Sequence, residues 1–145
     1  MITRQASRED APLAAELACL LWPSHPFDEM LKEMTGFIAD PGAAIFLACE
    51  GDTALGFAQC QLRHDYVEGT DSSPVGYLEG IFVRDGYRKS GVARALLGAC
   101  EDWARTQGCN EFASDCELDN IESLRFHLAC GFEEASRNIH FTKTL

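Results

Sequence analysis

Apolar residues along this chain follow two rhythms, and the changes from one to the other mark out its elements. Ile2 to Ala6 reads as a short first strand. Ser7-Arg8-Glu9-Asp10 then offers an N-cap with acidic residues in the first turn, where the positive end of a helix favours them. Leu13, Leu17, Leu20 and Leu21 give the following helix its apolar face, and Pro23 ends it, because the residue before a proline is driven out of the helical region. Phe27 to Ala39 is a second, weaker helix stopped by Asp40-Pro41-Gly42. Ala43 to Glu50 is an apolar strand, turned by Gly51-Asp52 into another from Ala54 to His64. Leu55, Phe57 and Leu62 break the alternation of that strand, which predicts a bulge.

A long polar connection, Asp65 to Pro74, leads to an aromatic and β-branched run from Gly76 to Val83. Arg84-Asp85-Gly86 supplies a turn, and Val92, Leu96, Cys100 and Trp103 then recur at helical spacing up to Thr106-Gln107-Gly108. Glu111 to Asp115 is a strand and Cys116 to Asp119 a loop. Asn120 caps a short helix running to Ala129, and Gly131-Phe132 breaks out of it. Asn138 to Thr144 alternates as a final strand. Early hairpin strands with a later crossover helix predict one α/β domain over residues 1–145, a mixed, mostly antiparallel central sheet flanked by helices.

The order strand, basic glycine-bearing loop, helix at Tyr77 to Arg105 carries the first chemistry. Arg88, Lys89, Ser90, Gly91, Val92, Ala93 and Arg94 lie where a strand ends and a helix begins. Free backbone N–H groups and the helix dipole meet there, which suits a phosphate, and Gly91 lets an anion approach the backbone closely. Neither the P-loop spacing nor G-x-G-x-x-G is present.

Composition narrows the partners. In 145 residues the net charge is −11, which argues against a nucleic-acid ligand and is compatible with a cationic one, or serves solubility alone. No run approaches the roughly 20 apolar residues of a membrane helix, and MITRQASRED lacks a secretory apolar region. Seven cysteines, scattered in apolar runs without a C-x-x-C pair, read as buried reduced thiols of a cytoplasmic protein and offer no metal site.

Two spaced motifs carry a resemblance. Arg88-x-x-Gly91-x-Ala93 resembles the pyrophosphate-binding signature of the GCN5-related N-acetyltransferases (GNAT). Asn120-x-x-Ser123-x-x-x-His127-x-x-x-Gly131-Phe132 is similar to that superfamily's downstream segment. One departure stands out: His127 occupies the place where the superfamily often has a tyrosine thought to protonate the departing thiolate. Leu21-Trp22-Pro23-Ser24-His25-Pro26, Arg63-His64-Asp65-Tyr66-Val67, Ser72-Ser73-Pro74-Val75, Leu78 to Val83, Ala113-Ser114-Asp115 and Gly131-Phe132-Glu133-Glu134 resemble the bacterial aminoglycoside 6'-N-acetyltransferases. The resemblance implies acetyl-CoA held by the backbone of Ile81, Phe82 and Val83, by the loop Arg88 to Arg94 and by Asn120. It implies an aminoglycoside contacted by Trp22, His25, Tyr66, Glu79 and Asp115, with Ser136 where relatives can carry an acidic contact. It also implies a homodimer.

The residues themselves support a site in the same region. Glu79 falls mid-strand beside a glycine, an odd place for a carboxylate unless it faces a wet cleft or a partner. Asp115, at the end of the next strand, is a second carboxylate where open α/β sheets place ligands, or an Asx turn before the next helix. Trp22 and His25 on a proline-stiffened loop form a platform for sugar rings, or the tryptophan packs on the core. Tyr66 is a loop anchor or a ligand contact. His127 reads as a structural helix-face residue. The chemistry expected is direct acetyl transfer within a ternary complex, with Glu79 as base and Asp115 orienting the amine. The alternatives are transfer to another amine, such as a polyamine, a small metabolite or a protein N-terminus, and a non-catalytic acyl-CoA-binding module.

Overall fold

The computed structural model describes residues 1–145. One sheet runs in the order β1 (Ile2–Gln5), β2 (Ala43–Glu50), β3 (Thr53–Arg63), β4 (Val75–Val83) and β5 (Phe112–Ser114). Neighbours are antiparallel up to β4, and β5 lies parallel to β4. Helices α1 (Ala11–Leu21) and α2 (Phe27–Ala39) connect β1 to β2, α3 (Val92–Thr106) crosses from β4 to β5, and α4 (Ile121–Ala129) follows β5. The mixed, mostly antiparallel α/β architecture is as the pattern predicts.

Strand β2 is apolar almost throughout because both of its faces are covered. Ile45 and Leu47 pack with Leu17, Met30, Met34 and Phe57 beneath α1 and α2. Ala44, Phe46 and Ala48 join Cys60, Leu78, Leu96, Cys100 and Trp103 beneath α3. Ahead of α1, Arg8–Asp10 form a single 3-10 turn. The Asp10 carboxylate closes it by accepting from the Ser7 N–H at 2.8 Å and from the Arg4 guanidinium at 2.7 and 2.8 Å. The sequence expectation of a cap at Ser7 is met there, with Asp10 accepting rather than Ser7.

Two bulges interrupt the sheet. Ala48 faces Gly56 and Cys49 faces Ala54, which leaves Leu55 as the extra residue of β3, the bulge expected from its broken alternation. Gln59 faces Gly80 and Cys60 faces Leu78, so Glu79 is the extra residue of β4. That second bulge has a large consequence. Strand β5 pairs with β4 only at Gly76, Tyr77 and Leu78, and from Glu79 to Val83 the outer edge of β4 has no strand beside it.

Two sequence expectations need correction. Asn138 to Thr144 forms no strand; residues 133–145 lack regular structure, and Ile139 and Phe141 are more than four-fifths exposed. A strand needs an edge to pair with, and this segment runs past Gly69 at Ala135 instead of along β5, so its alternating pattern has no partner in its own chain. The cysteines are all unpaired, but only Cys60, Cys100 and Cys109 are buried. Cys19, Cys49 and Cys130 are half-buried, and Cys116 is exposed in the loop after β5.

Candidate active site

Where β4 leaves β5, the chain builds a cleft from short-range causes. Trp22 caps the C-terminus of α1, turned out of the helix ahead of Pro23. Its indole lies across β4, and a Cβ at Gly80 would come within 2.6 Å of the ring, so glycine at 80 is what admits it. The ring also meets Phe57 edge-on at 6.3 Å. Trp22 is therefore half-buried against the sheet at the bulge, and the core-packing and cleft-wall readings of it both apply.

The bulged Glu79 is the hub of a polar network. Its carboxylate accepts from Arg63 Nε at 3.1 Å and from Arg63 Nη2 at 2.9 Å, and it also accepts from the Gln61 amide. The Arg63 guanidinium carbon stands 3.4 Å from the centroid of the Tyr77 ring, and the Tyr77 hydroxyl donates to Asp115. The two candidate carboxylates, Glu79 and Asp115, are thus joined by a stacked arginine–tyrosine pair. Burial, followed by the hydrogen bond to Asp115, pushes the Tyr77 hydroxyl well above its usual range, so it stays a donor. Gln61, Arg63 and Tyr77 were not singled out from the sequence. The signal of Gln61 and Arg63 lies in i, i+2 spacing on β3, and that of Tyr77 in the same spacing from Glu79 on β4, and both are usable only once the register is known.

Below the cleft, the loop between β4 and α3 has the geometry of an anion site. Lys89 (φ 61°) and Gly91 (φ 86°) are left-handed, and backbone of that kind forms concavities lined by N–H groups. The first bond of α3 runs from the Ala95 N–H to the Gly91 carbonyl, so the N–H groups of Val92, Ala93 and Arg94 have no partner within the helix. Space above Gly91 is open. Arg88 folds back, its Nε donating to the Val83 carbonyl at 3.2 Å. Ser90 donates to the Tyr87 carbonyl and Arg94 to that of Ala129. A hollow of about 410 Å³ opens here, lined by Leu20, Phe82, Arg84, Asp85 and Arg88. A diphosphate fits this arrangement, and an extended amide-bearing arm fits the free edge of Ile81, Phe82 and Val83.

The remaining candidates are more dispersed. Asn120 caps α4, its Oδ1 accepting from the Ser123 N–H at 3.1 Å, and its amide nitrogen donates to nothing in the chain. His25 is exposed, with Nδ1 3.3 Å from Glu29. Tyr66 is exposed on the β3–β4 connection, which wraps a concavity of about 300 Å³. Glu111 tethers that connection, accepting from the Asp71 N–H at 2.9 Å and from the Ser72 hydroxyl, whose bond is the main cause of its lowered pKa. Ser136 sits on the exposed C-terminal segment and accepts from Asn138 at 3.4 Å. No three His, Cys, Asp or Glu side chains gather as a metal would require.

A strand parted from its neighbour, a glycine-bearing loop at a helix start and paired carboxylates beside the gap define an acyl-CoA-dependent transferase fold. Residues 12–132 match the acetyltransferase (GNAT) family, and the chain belongs to it. It is an acetyl-CoA-dependent N-acetyltransferase. It is similar to the aminoglycoside N(6')-acetyltransferase type 1 of Stenotrophomonas maltophilia, with 48% identity over 98% of this chain and 92% of that protein. With the protein of that name from Salmonella typhimurium it shares 42% identity over 99% of each chain. Among solved structures it resembles AAC(6')-Iy in complex with the bisubstrate analogue CoA-S-monomethyl-acetylneamine, with TM-score 0.95 and 40% identity over 99% of this chain and 98% of that one. It also resembles the ligand-free 6'-N-acetyltransferase AAC(6')-IG of Acinetobacter haemolyticus, with TM-score 0.94 and 38% identity over 100% and 99% of the two chains.

Proposed function

We propose that this chain is an aminoglycoside 6'-N-acetyltransferase, moving the acetyl group of acetyl-CoA to an amine of the drug and so conferring resistance to it. The observation that carries the reading is the bulge at Glu79, which opens the sheet for a thioester and sets a carboxylate at the opening. Relatives of 37–48% identity bear that activity in their names, which supports the same substrate class here.

The pantetheine arm lies along Ile81 to Val83 like an added strand. The pyrophosphate rests on the loop from Arg88 to Arg94, and Asn120 offers its free amide to the same ligand. Trp22, His25, Tyr66 and Ser136 surround the sugar rings, while Glu79 and Asp115 receive its ammonium groups. Glu79 takes the proton, directly or through water, and the amine attacks the thioester without an acyl-enzyme. Arg63 holds the carboxylate in place for that step through its two-nitrogen grip.

The chain acts as one acetyltransferase domain over 1–145. Its unpaired thiols support residence in the reducing cytoplasm. Its exposed C-terminal segment supports a homodimer, in which that segment covers a second copy. Thiol release from acetyl-CoA in the presence of kanamycin or tobramycin tests the substrate reading. Turnover with a polyamine or a protein N-terminus and none with either drug would overturn it.

A further inference from the structure

His127 does more than fill a helix face. Its Nδ1 lies 2.7 Å from the Ser123 carbonyl one turn back, and its Nε2 lies 2.8 Å from the Ser114 hydroxyl on β5. That hydroxyl is in turn 3.3 Å from the Leu78 carbonyl. Ser114 and Leu78 are the last pair of the β4–β5 ladder, so the hydroxyl stands where the strands part. Phe126 and Phe132 hold the imidazole edge-on, with centroids at 5.8 and 5.0 Å. A carbonyl only accepts, so Nδ1 must donate to Ser123. The other two contacts are satisfied together when Nε2 also carries hydrogen: Nε2–H donates to Ser114 Oγ, and Oγ–H donates toward Leu78 at the opening. Every link then points from the helix to the cleft. A nucleophile with its base would need the opposite polarity, with the serine proton directed at Nε2.

We propose that Ser114 is the acid that protonates the departing thiolate and that His127, a positioning residue, resupplies it. The inference rests on acetyl transfer from a thioester and not on which amine accepts the group. The amine nitrogen bonds to the carbonyl carbon, and the tetrahedral intermediate then collapses. Its C–S bond breaks with both electrons on sulfur, sulfur takes the Ser114 Oγ proton, and Oγ takes the proton from His127 Nε2. The proton shed by the new amide nitrogen returns through water to Nε2, so the cycle closes without any other reactant.

The test compares Ser114→Ala, Ser114→Thr, His127→Ala and the double variant Ser114→Ala/His127→Ala on whichever amine the wild-type chain acetylates. With Ser114→Ala, kcat is expected to fall by ~10²-fold or more, the range for one positioned acid–base group. Acetyl-CoA affinity and melting temperature should be retained, and Ser114→Thr, which keeps a hydroxyl, should restore turnover. Added imidazole should recover part of the His127→Ala loss, which a packing role would not allow. The double variant should be no slower than Ser114→Ala, as expected of residues acting as a unit. A Ser114→Ala enzyme with wild-type kcat overturns the proposal, as does an acetylated Ser114 detected by mass spectrometry during turnover. A wild-type chain that acetylates a polyamine but no aminoglycoside sinks the substrate reading alone, and the same variants then decide the relay.

Discussion

Glu79 already has one cation beside it, and the proposed reaction brings it a second. Arg63 grips it with two nitrogens while its own flat face rests on Tyr77, a geometry an ammonium-bearing lysine would not reproduce. With Glu79→Gln, which keeps the shape but neither charge nor basicity, kcat is expected to drop by ~10²–10⁴-fold. Acetyl-CoA affinity should stay unchanged by calorimetry. A raised KM at constant kcat would instead assign Glu79 to substrate binding alone. Glu111 acts at the same scale on the loop that presents Tyr66. Hydrogen bonds from Ser72 and Asp71 hold its carboxyl below the ordinary range. The folded-state pKa is depressed, so the tether is fully present above the ordinary glutamate value, about 4.3, and is lost as pH falls below it. Glu111→Ala should raise the aminoglycoside KM in initial-rate assays with kcat nearly constant. Glu111→Gln, which keeps an accepting oxygen, should not.

At the scale of elements, the junction of β4, its loop and α3 does most of the work. Gly91→Glu places a carboxylate at the proposed pyrophosphate site, in a left-handed backbone that already disfavours a side chain. Calorimetry should show acetyl-CoA binding weakened by ~10-fold or more through like-charge repulsion, while circular dichroism stays native. This junction was legible in the sequence because the hydrophobic period changes from two to near four around a glycine. That β3 carries a bulge was legible too, since Leu55, Phe57 and Leu62 do not keep one alternation, but its place at Leu55 was not. The Glu79 bulge was not, because its neighbours Leu78 and Gly80 preserve an apolar run. Without it, the meeting of Gln61, Arg63 and Glu79 could not be read, since one residue of register decides which side chains face each other. Ser114 escaped notice for a related reason: its partner His127 arrives from α4, and spacing along the chain does not report that contact.

For the whole molecule, the last helix and the tail are the unfinished part. Helix α4 buries none of its residues, Ile121 and Leu128 are about half exposed, and Ile139, Phe141 and Leu145 project further still. Exposed apolar side chains on α4 and the tail favour the proposed dimer, which would cover them. Light scattering of the full chain should give the mass of a dimer. A chain truncated after Phe132 should give a monomer that melts at a lower temperature. A full-length monomer at micromolar concentration would remove the homodimer from the account. The alternating pattern of Asn138 to Thr144 read as a strand in the sequence, but alternation alone does not supply an edge to pair with, and the segment forms none.

The close approach of Trp22 to Gly80 also sets the terms on which this enzyme can evolve. Any substitution at 80 must first move the indole, so that wall of the cleft is closed to gradual change. The connection carrying Tyr66, largely exposed and tied down through Glu111, can take single mutations without disturbing the sheet, and under the proposed function it is where new ring substituents would be explored. Under selection by successive antibiotics, drug range should therefore drift through Asp65 to Ser73 while Gly80 is kept by purifying selection.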